Sequence, residues 1–461
     1  MVGETALKAI NEKENVWREH AKKVWNFAET AYKEVSTCAA TAELLKSLGF
    51  KVETGVYGMP TALRAEWGSG KPVIGFLGEF DALPGLSQKV GTVKEAVKEG
   101  APGHGCGHNL LSTAPLAAAY GLKEELKASG RPGTVVYYGC PAEEALTGKV
   151  FMARGGAFRE LDIAFSWHGA SKNQTSYGTM TGMNSAIFRF TGRTSHAGGT
   201  PEKGRSALDA VEIMDVGANY LREHVTMDNR IHYVITDGGM APNIVPDHAA
   251  VWYFVRALTR EGVEDTYRRL VLCAEGAAHM TETKLDIEFL GGCYPTLENH
   301  VLTDLLQQGL KDVAGPVWTK EELDFADKLN RDNAGYEALK NDPDYDGPLS
   351  AHVSPIFTGY IYGSTDVGDV QHICPCSELN TASWNAAAPG HSWQITSCAG
   401  MSIGEKGMMY GARVLGLTAA RAAADPKVIE AAKAEFEKSM AGKSYHCPIP
   451  AEVPVPMPEK K

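Results

Sequence analysis

Four short stretches of this chain carry residue types that hold metal ions and move protons. Gly78-Glu-Phe-Asp-Ala-Leu-Pro84 places Glu79 and Asp81 just after an apolar segment, and Gly103-His-Gly-Cys-Gly-His108 offers His104, Cys106 and His108. Gly139-Cys-Pro-Ala-Glu-Glu144 offers adjacent Glu143 and Glu144, and Trp167 is followed by His168. Each is weak alone: Cys-Gly-His is commonly accidental, paired glutamates favour solvated faces, and a strand-end histidine is commonly a satisfied one. Together they form a donor set for divalent transition ions. Thiolate and imidazole suit zinc or a similar ion, and a bridging anion lets two ions sit about 3.5–4 Å apart. Such a pair lowers the pKa of bound water and polarises a carbonyl, which is the chemistry of amide hydrolysis. Adjacent glutamates can divide the labour, one binding metal and the other serving as general base. Asp81 suits acceptance of the ring N–H of a ligand histidine, which fixes its tautomer.

These residues follow the ends of predicted strands. Apolar β-type runs at 61–67, 72–77, 134–138 and 163–167 alternate with helical patterns at 38–48, 109–129 and 149–158. That alternation predicts parallel pairing through crossovers, hence an α/β fold with ligands beyond the carboxyl ends of the strands. From about residue 183 the texture changes. Strands at 185–190, 230–236 and 248–257 interleave with helices at 206–225 and 261–279, returning near Phe289. This predicts a small α+β domain, 183–289, inserted between two parts of the larger one, 1–182 and 290–461. Helices are expected at 298–313 and 403–424, a charged and turn-rich surface excursion at 321–348, and an extended proline-rich tail after Tyr445.

Composition excludes other classes. At 461 residues two domains are the default, and 44% hydrophobic with 22% charged residues is ordinary globular usage. No apolar run approaches the ~18–20 residues of a membrane helix, and the charged N-terminus does not read as a secretory signal. A net charge of −11 opposes nucleic-acid binding. Nine scattered cysteines do not form a disulfide framework, so a cytoplasmic location is expected. Cys374-Pro-Cys376 lacks a second Cys/His pair at finger spacing and reads as two ordinary thiols in a loop.

The four motifs, with Gly390-His-Ser-Trp-Gln394, resemble the zinc-peptidase family of aminoacylases and carboxypeptidase G, in particular its amidohydrolase branch of hippurate and auxin-conjugate hydrolases. Within that branch, His104-Gly-Cys-Gly-His108-Asn-Leu-Leu, Ser364-Thr-Asp-Val-Gly-Asp369 and Tyr445-His-Cys-Pro-Ile-Pro450 are similar to the B-type chains of p-aminobenzoyl-glutamate hydrolases. The resemblance runs almost end to end. It implies a dinuclear-metal peptidase domain with an inserted lid and dimerisation domain, and two divalent ions per subunit, manganese or zinc. It further implies Cys106 as the bridging ligand, His108, Glu144, His168 and His391 as the other ligands, and Glu143 as the base. His391 follows from the resemblance alone. Thr194-Ser-His196-Ala matches the family motif whose histidine reaches an active site, often the partner subunit's, so His196 would stabilise the oxyanion. Asn243 and Arg256 would bind the carboxylate of a small N-acyl amino acid. The implied assembly is a dimer, of identical chains or with a related A-type chain.

Two positions depart from most of the branch: Asn109 stands where Asp follows Cys-Gly-His, and Glu79 replaces the first Asp of Asp-x-Asp. Both changes are shared with the B-type chains. Two other classes compete. A thiol hydrolase with Cys106 as nucleophile would leave Glu143, Glu144 and His391 without roles. A non-catalytic partner of an active chain would not need a complete ligand set.

Overall fold

The computed structural model describes residues 2–457 and is built on two main sheets. The early strands are β1 (Lys51–Thr54), β2 (Leu63–Ser69), β3 (Val73–Glu79), β4 (Gly133–Cys140), β5 (Ile163–Ala170) and β6 (Gln174–Thr175). Next come β7 (Thr179–Met180), β8 (Gly182–Thr191), β9 (Arg230–Asp237), β10 (His248–Ala257) and β11 (Lys284–Cys293). The last two are β12 (Tyr360–Ile361), which pairs with β7, and β13 (Cys376–Ala382).

The larger sheet runs β1-β2-β4-β3-β5-β13-β6. Its centre, β4-β3-β5-β13, is parallel, and β1, β2 and β6 pair antiparallel at the margins. This is the expected α/β class with a mixed sheet. Every residue of β4 is buried, as a central strand covered on both faces requires. Helices Ala114–Ser129 and Ser402–Ala424 pack on one face, their Ala- and Gly-rich sequences allowing close approach. At Gly411 a Cβ would lie 2.1 Å from Nε1 of Trp167, whose indole donates to Thr381 Oγ1 on β13 at 2.7 Å. Gly411→Ala is therefore expected to push this helix off the strand that carries His168. The cost should be about 1–3 kcal/mol, read as a lowered thermal midpoint.

The smaller sheet, β11-β8-β10-β9, is antiparallel throughout. Along β10, Val251, Tyr253 and Val255 are buried, in one core cluster with residues of helices Ala207–Leu221 and Arg260–Thr281. The alternate residues Trp252, Phe254 and Arg256 take the opposite face, as strand periodicity demands. That face shares a cavity with the carboxyl ends of the larger sheet's strands.

Two expectations are corrected. The charged stretch 321–348 is not simply a surface excursion. Helix Lys320–Arg331 opens with a capping box, Thr319 with Glu322, and its Ala326 and Leu329 pack with Trp384, Ile395 and Cys398. Apart from Glu322, which turns inward to Ser402 and Lys406, the charges face outward and mask a helical stripe. Of the two thiols read as loop residues, Cys374 does lie in the bend before β13, whereas Cys376 begins that strand, and both are buried. Neither belongs to a metal-capable cluster among the described residues.

Candidate active site

Parallel pairing of β3, β4, β5 and β13 brings their carboxyl ends to one edge, with Glu79 opposite Cys140 and His168 opposite Asn380. Beyond β4 the chain turns sharply, with Ala142 at φ 56° and Leu146 at φ 55°, and presents Glu143 and Glu144 between them. Asp81 fixes this turn, its Oδ1 accepting the Glu143 N–H at 3.1 Å and its Oδ2 that of Glu144 at 2.8 Å. Glu34, fully buried, accepts the Ala142 N–H at 2.8 Å and so holds the turn from the other side. The same Asp81 Oδ1 lies 3.3 Å from His108 Nδ1, at the start of a short helix, His108–Leu111. One carboxylate thus orients a histidine and two glutamates.

The opposite ring atom of His108, Nε2, lies 3.3 Å from Glu79 Oε2, 3.8 Å from Glu143 Oε2 and 3.9 Å from Glu144 Oε1. Cys106 Sγ is 3.3 Å from His168 Nε2, and His168 Nδ1 sits 2.6 Å from the Gly169 carbonyl. A proton on Nδ1 leaves Nε2 as a lone-pair donor toward the thiol. His391, at φ 54°, places Nε2 3.4 Å from Glu144 Oε2. The structure therefore gathers Cys106, His108, Glu144, His168 and His391. Cys106 is shared by two trios, Cys106–His108–His168 and Cys106–Glu144–His391, each with donor atoms within 4.8 Å of one another. His104 turns away, its Nε2 facing the Val24 carbonyl at 3.1 Å inside the core.

The electrostatics suit cations. Burial pushes the Glu143 carboxyl well above its usual range, and the charges of Glu79, Asp366 and Glu144 push further. Burial, with the charges of Asp81 and Glu79, raises Glu144 to about 7. The Cys106 thiol is raised by burial, and His168 and His391 are lowered by burial and then by the charge of His108. Burial alone would raise Asp81; its hydrogen bond to His108, the charge of that ring and the backbone N–H of Glu144 together outweigh burial and leave it below the usual range. His108 Nε2 and Glu144 Oε1 are buried without a hydrogen-bond partner. Unpaired buried polar atoms are costly, and here they belong to groups able to ligate a metal that face one another. The donor set fits a pair of divalent ions.

The site opens into a cavity of about 830 Å³, with Cys106, Glu143, Glu144, His168 and His391 on one side. On the other side stand Ser185, Trp252, Phe254 and Arg256 of the smaller sheet. Trp252 donates its indole N–H to Ser185 Oγ at 2.8 Å. Arg256 Nη1 donates to Ser364 Oγ at 2.7 Å, and its guanidinium lies 5.5 Å from the centre of the Phe254 ring. His196 and Asn243 do not line this cavity. They lie side by side on segments that extend from β8 and lead into β10, where the Ala197 N–H donates to the Asn243 carbonyl. His196 Nδ1 accepts from the N–H groups of Gly198 (3.2 Å) and Gly199 (2.9 Å), which leaves its ring proton on an outward Nε2.

Sequence reasoning missed several residues of this region. Glu378 and Asn380 line the cavity from β13, a strand concealed by the polar run Cys376-Ser-Glu-Leu-Asn-Thr. Glu34, Lys149 and Asp366 come from separate segments and give no signal in spacing; the Ser364-Thr-Asp-Val-Gly-Asp369 motif carries a resemblance but no role of its own.

The chain and its fold also resemble known proteins. Residues 179–279 match the family model of a peptidase dimerisation domain. Over its length the chain is 38% identical to the B chain of p-aminobenzoyl-glutamate hydrolase from Escherichia coli, covering 95% of each. It is 27% identical to the Xaa-Arg dipeptidase of Mus musculus, covering 90% of this chain and 88% of that one. Among solved structures, an aminobenzoyl-glutamate utilization protein from Klebsiella pneumoniae superposes with TM-score 0.59 at 17% identity, covering 90% of this chain and 97% of that one. A dinuclear metal-binding M20 peptidase from Bacillus subtilis gives 0.57 at 14% identity, covering 89% and 98%. The fold, the dimerisation segment and the full-length similarity lead to one conclusion: the chain belongs to the p-aminobenzoyl-glutamate hydrolase family, B type, of the M20 peptidases, hydrolases of amide bonds.

Proposed function

We propose that this chain hydrolyses the amide of N-aroyl and N-acyl amino acids, and that p-aminobenzoyl-glutamate, cleaved to p-aminobenzoate and glutamate, is its substrate. The observation that carries this is the cage of Cys106, His108, Glu144, His168 and His391 beside Glu143, opening onto a cavity walled by Trp252, Phe254 and Arg256. Those five residues would hold two ions, manganese or zinc. Once bound, the ions activate a water and polarise the scissile carbonyl. Glu143 takes the proton from the attacking water and returns it to the leaving amide nitrogen, so that one carboxyl serves as base and then as acid. Asp81 holds the backbone of Glu143 in place beside Glu144. Trp252 and Phe254 offer aromatic faces to the aroyl group. Arg256 offers its fork to a glutamate carboxylate. His196, with its proton on Nε2, would serve the oxyanion at a partner's site, with Asn243 beside it for the substrate carboxylate.

The molecule divides, on this reading, into a catalytic domain of 1–182 and 290–461 and a lid and dimerisation domain of 183–289. It works as a cytoplasmic dimer, of identical chains or with a related A-type chain. None of the described helices is long and apolar enough to cross a membrane. The related reading, hydrolysis of other acyl-amino acids, auxin conjugates or dipeptides, is separated by a substrate panel. The purified chain should cleave p-aminobenzoyl-glutamate faster than hippurate, indole-acetyl-aspartate or Xaa-Arg dipeptides; a reversed order would replace the proposed substrate. Arg256→Ala should raise KM for p-aminobenzoyl-glutamate about 10–100-fold, the worth of one or two charge-assisted bonds. Its effect on a substrate whose glutamate carboxylates are amidated should be small, and kinetics on the two substrates check the assignment.

A further inference from the structure

Lys149 is fully buried, and both of its partners are buried carboxylates: Glu79 Oε1 at 2.5 Å and Asp366 Oδ1 at 2.6 Å. The ammonium is held from two directions. Asp366 accepts it through Oδ1 and accepts the Lys149 backbone N–H through Oδ2 at 2.7 Å, clamping the first turn of helix Gly148–Arg154. That helix starts hard against the glutamate turn, since a Cβ on Gly148 would lie 1.6 Å from the Pro141 carbonyl oxygen. Glu79, so held by Oε1, directs Oε2 to within 3.3 Å of His108 Nε2. His108 Nε2 is itself buried and lacks a hydrogen-bond partner, while Nδ1 faces Asp81. Glu79, His108 and Glu143 form a third trio with donor atoms within 4.8 Å, distinct from the two that share Cys106.

We propose that Glu79 is a further metal-facing carboxylate beside His108, and that Lys149, anchored by Asp366, is the positioning residue that aims it. A stabilising ion triad is the plain competitor, but buried ion pairs contribute little net stability compared with apolar side chains of the same volume. A triad of two carboxylates and one ammonium carries one net negative charge, and its free oxygen faces a bare imidazole nitrogen. That arrangement suits a cation better than it suits a core. The role also accounts for Asp366 within the Ser364–Asp369 motif. The inference rests on His108 as a metal ligand, and the test separates the two.

The test is Zn²⁺ affinity of the metal-depleted full-length chain, measured by competition with a chromophoric chelator, alongside the thermal midpoint of the metal-free protein. Lys149→Met should weaken Zn²⁺ binding by about 10–100-fold, the usual cost of losing an outer partner of a ligand. Lys149→Arg should recover most of that loss. Glu79→Gln should weaken binding at least as much as Lys149→Met. Asp366→Asn, which keeps the ammonium and loosens its anchor, provides a milder variant and should cost a smaller factor in the same direction. His108→Ala losing Zn²⁺ while Glu79→Gln, Lys149→Met and Asp366→Asn all stay within twofold would overturn the proposal and keep the ligand assignment. His108→Ala retaining full affinity would instead remove the reading on which it rests.

Discussion

Glu143→Ala is expected to keep its metal and lose about 10²–10⁴-fold in kcat, the range supplied by a positioned general base and acid. The side chain lies in the cavity wall next to the ligand set, and its backbone is fixed by Asp81 whatever the side chain is. Truncation should therefore leave the fold of the turn intact. Of the two adjacent glutamates, Glu144 alone belongs to a trio with Cys106 and His391. Glu144→Ala should accordingly lose metal as well as activity. Metal content of the two purified variants, measured beside their turnover, checks the division. Equal depletion in both would sink it.

The second large effect concerns Cys106. Its Sγ is the one donor common to the two trios built on His108 with His168 and on Glu144 with His391. Cys106→Ala should reduce bound metal from two ions to fewer than one per chain, with activity falling to the level of the metal-free protein. His391→Ala should be milder, because His391 stands on the exposed rim and enters only one of those trios. The same experiment separates metal catalysis from a thiol nucleophile. A nucleophilic cysteine would lose activity on substitution and keep metal content unchanged. Its thiol is also raised by burial, the opposite of what an activated nucleophile needs.

What the sequence revealed and what it concealed follow physical lines. The ends of β3, β4 and β5 were legible because central parallel strands are apolar throughout and stop abruptly at polar residues of the candidate site. Asp81, Glu143, Glu144 and His168 all lie at such stops, and Cys106 and His108 just ahead of a long helical pattern. His391 was not legible from spacing: it sits in a loop, in a left-handed conformation, far along the chain from the other candidate ligands. Strand β13 escaped because its polar pairs, Ser377-Glu378 and Asn380-Thr381, break the two-residue period after a Cys-Pro-Cys that reads as a loop. Lys149 looked like an ordinary helix residue, since charge alone does not show that an ammonium is buried between two carboxylates. The amphipathic helix Lys320–Arg331 was hidden by its own charges. The resemblance to a known family supplied His196, Asn243 and Arg256, and only Arg256 lines this chain's own cavity.

Metal-dependent hydrolysis stands or falls on release of p-aminobenzoate by the purified chain alone, after chelation and again after Mn²⁺ or Zn²⁺ is restored. The chelated protein should release none, and adding either ion should recover release, with glutamate formed in equal amount. Release that persists undiminished in the chelated, metal-free protein would refute the assignment of this site.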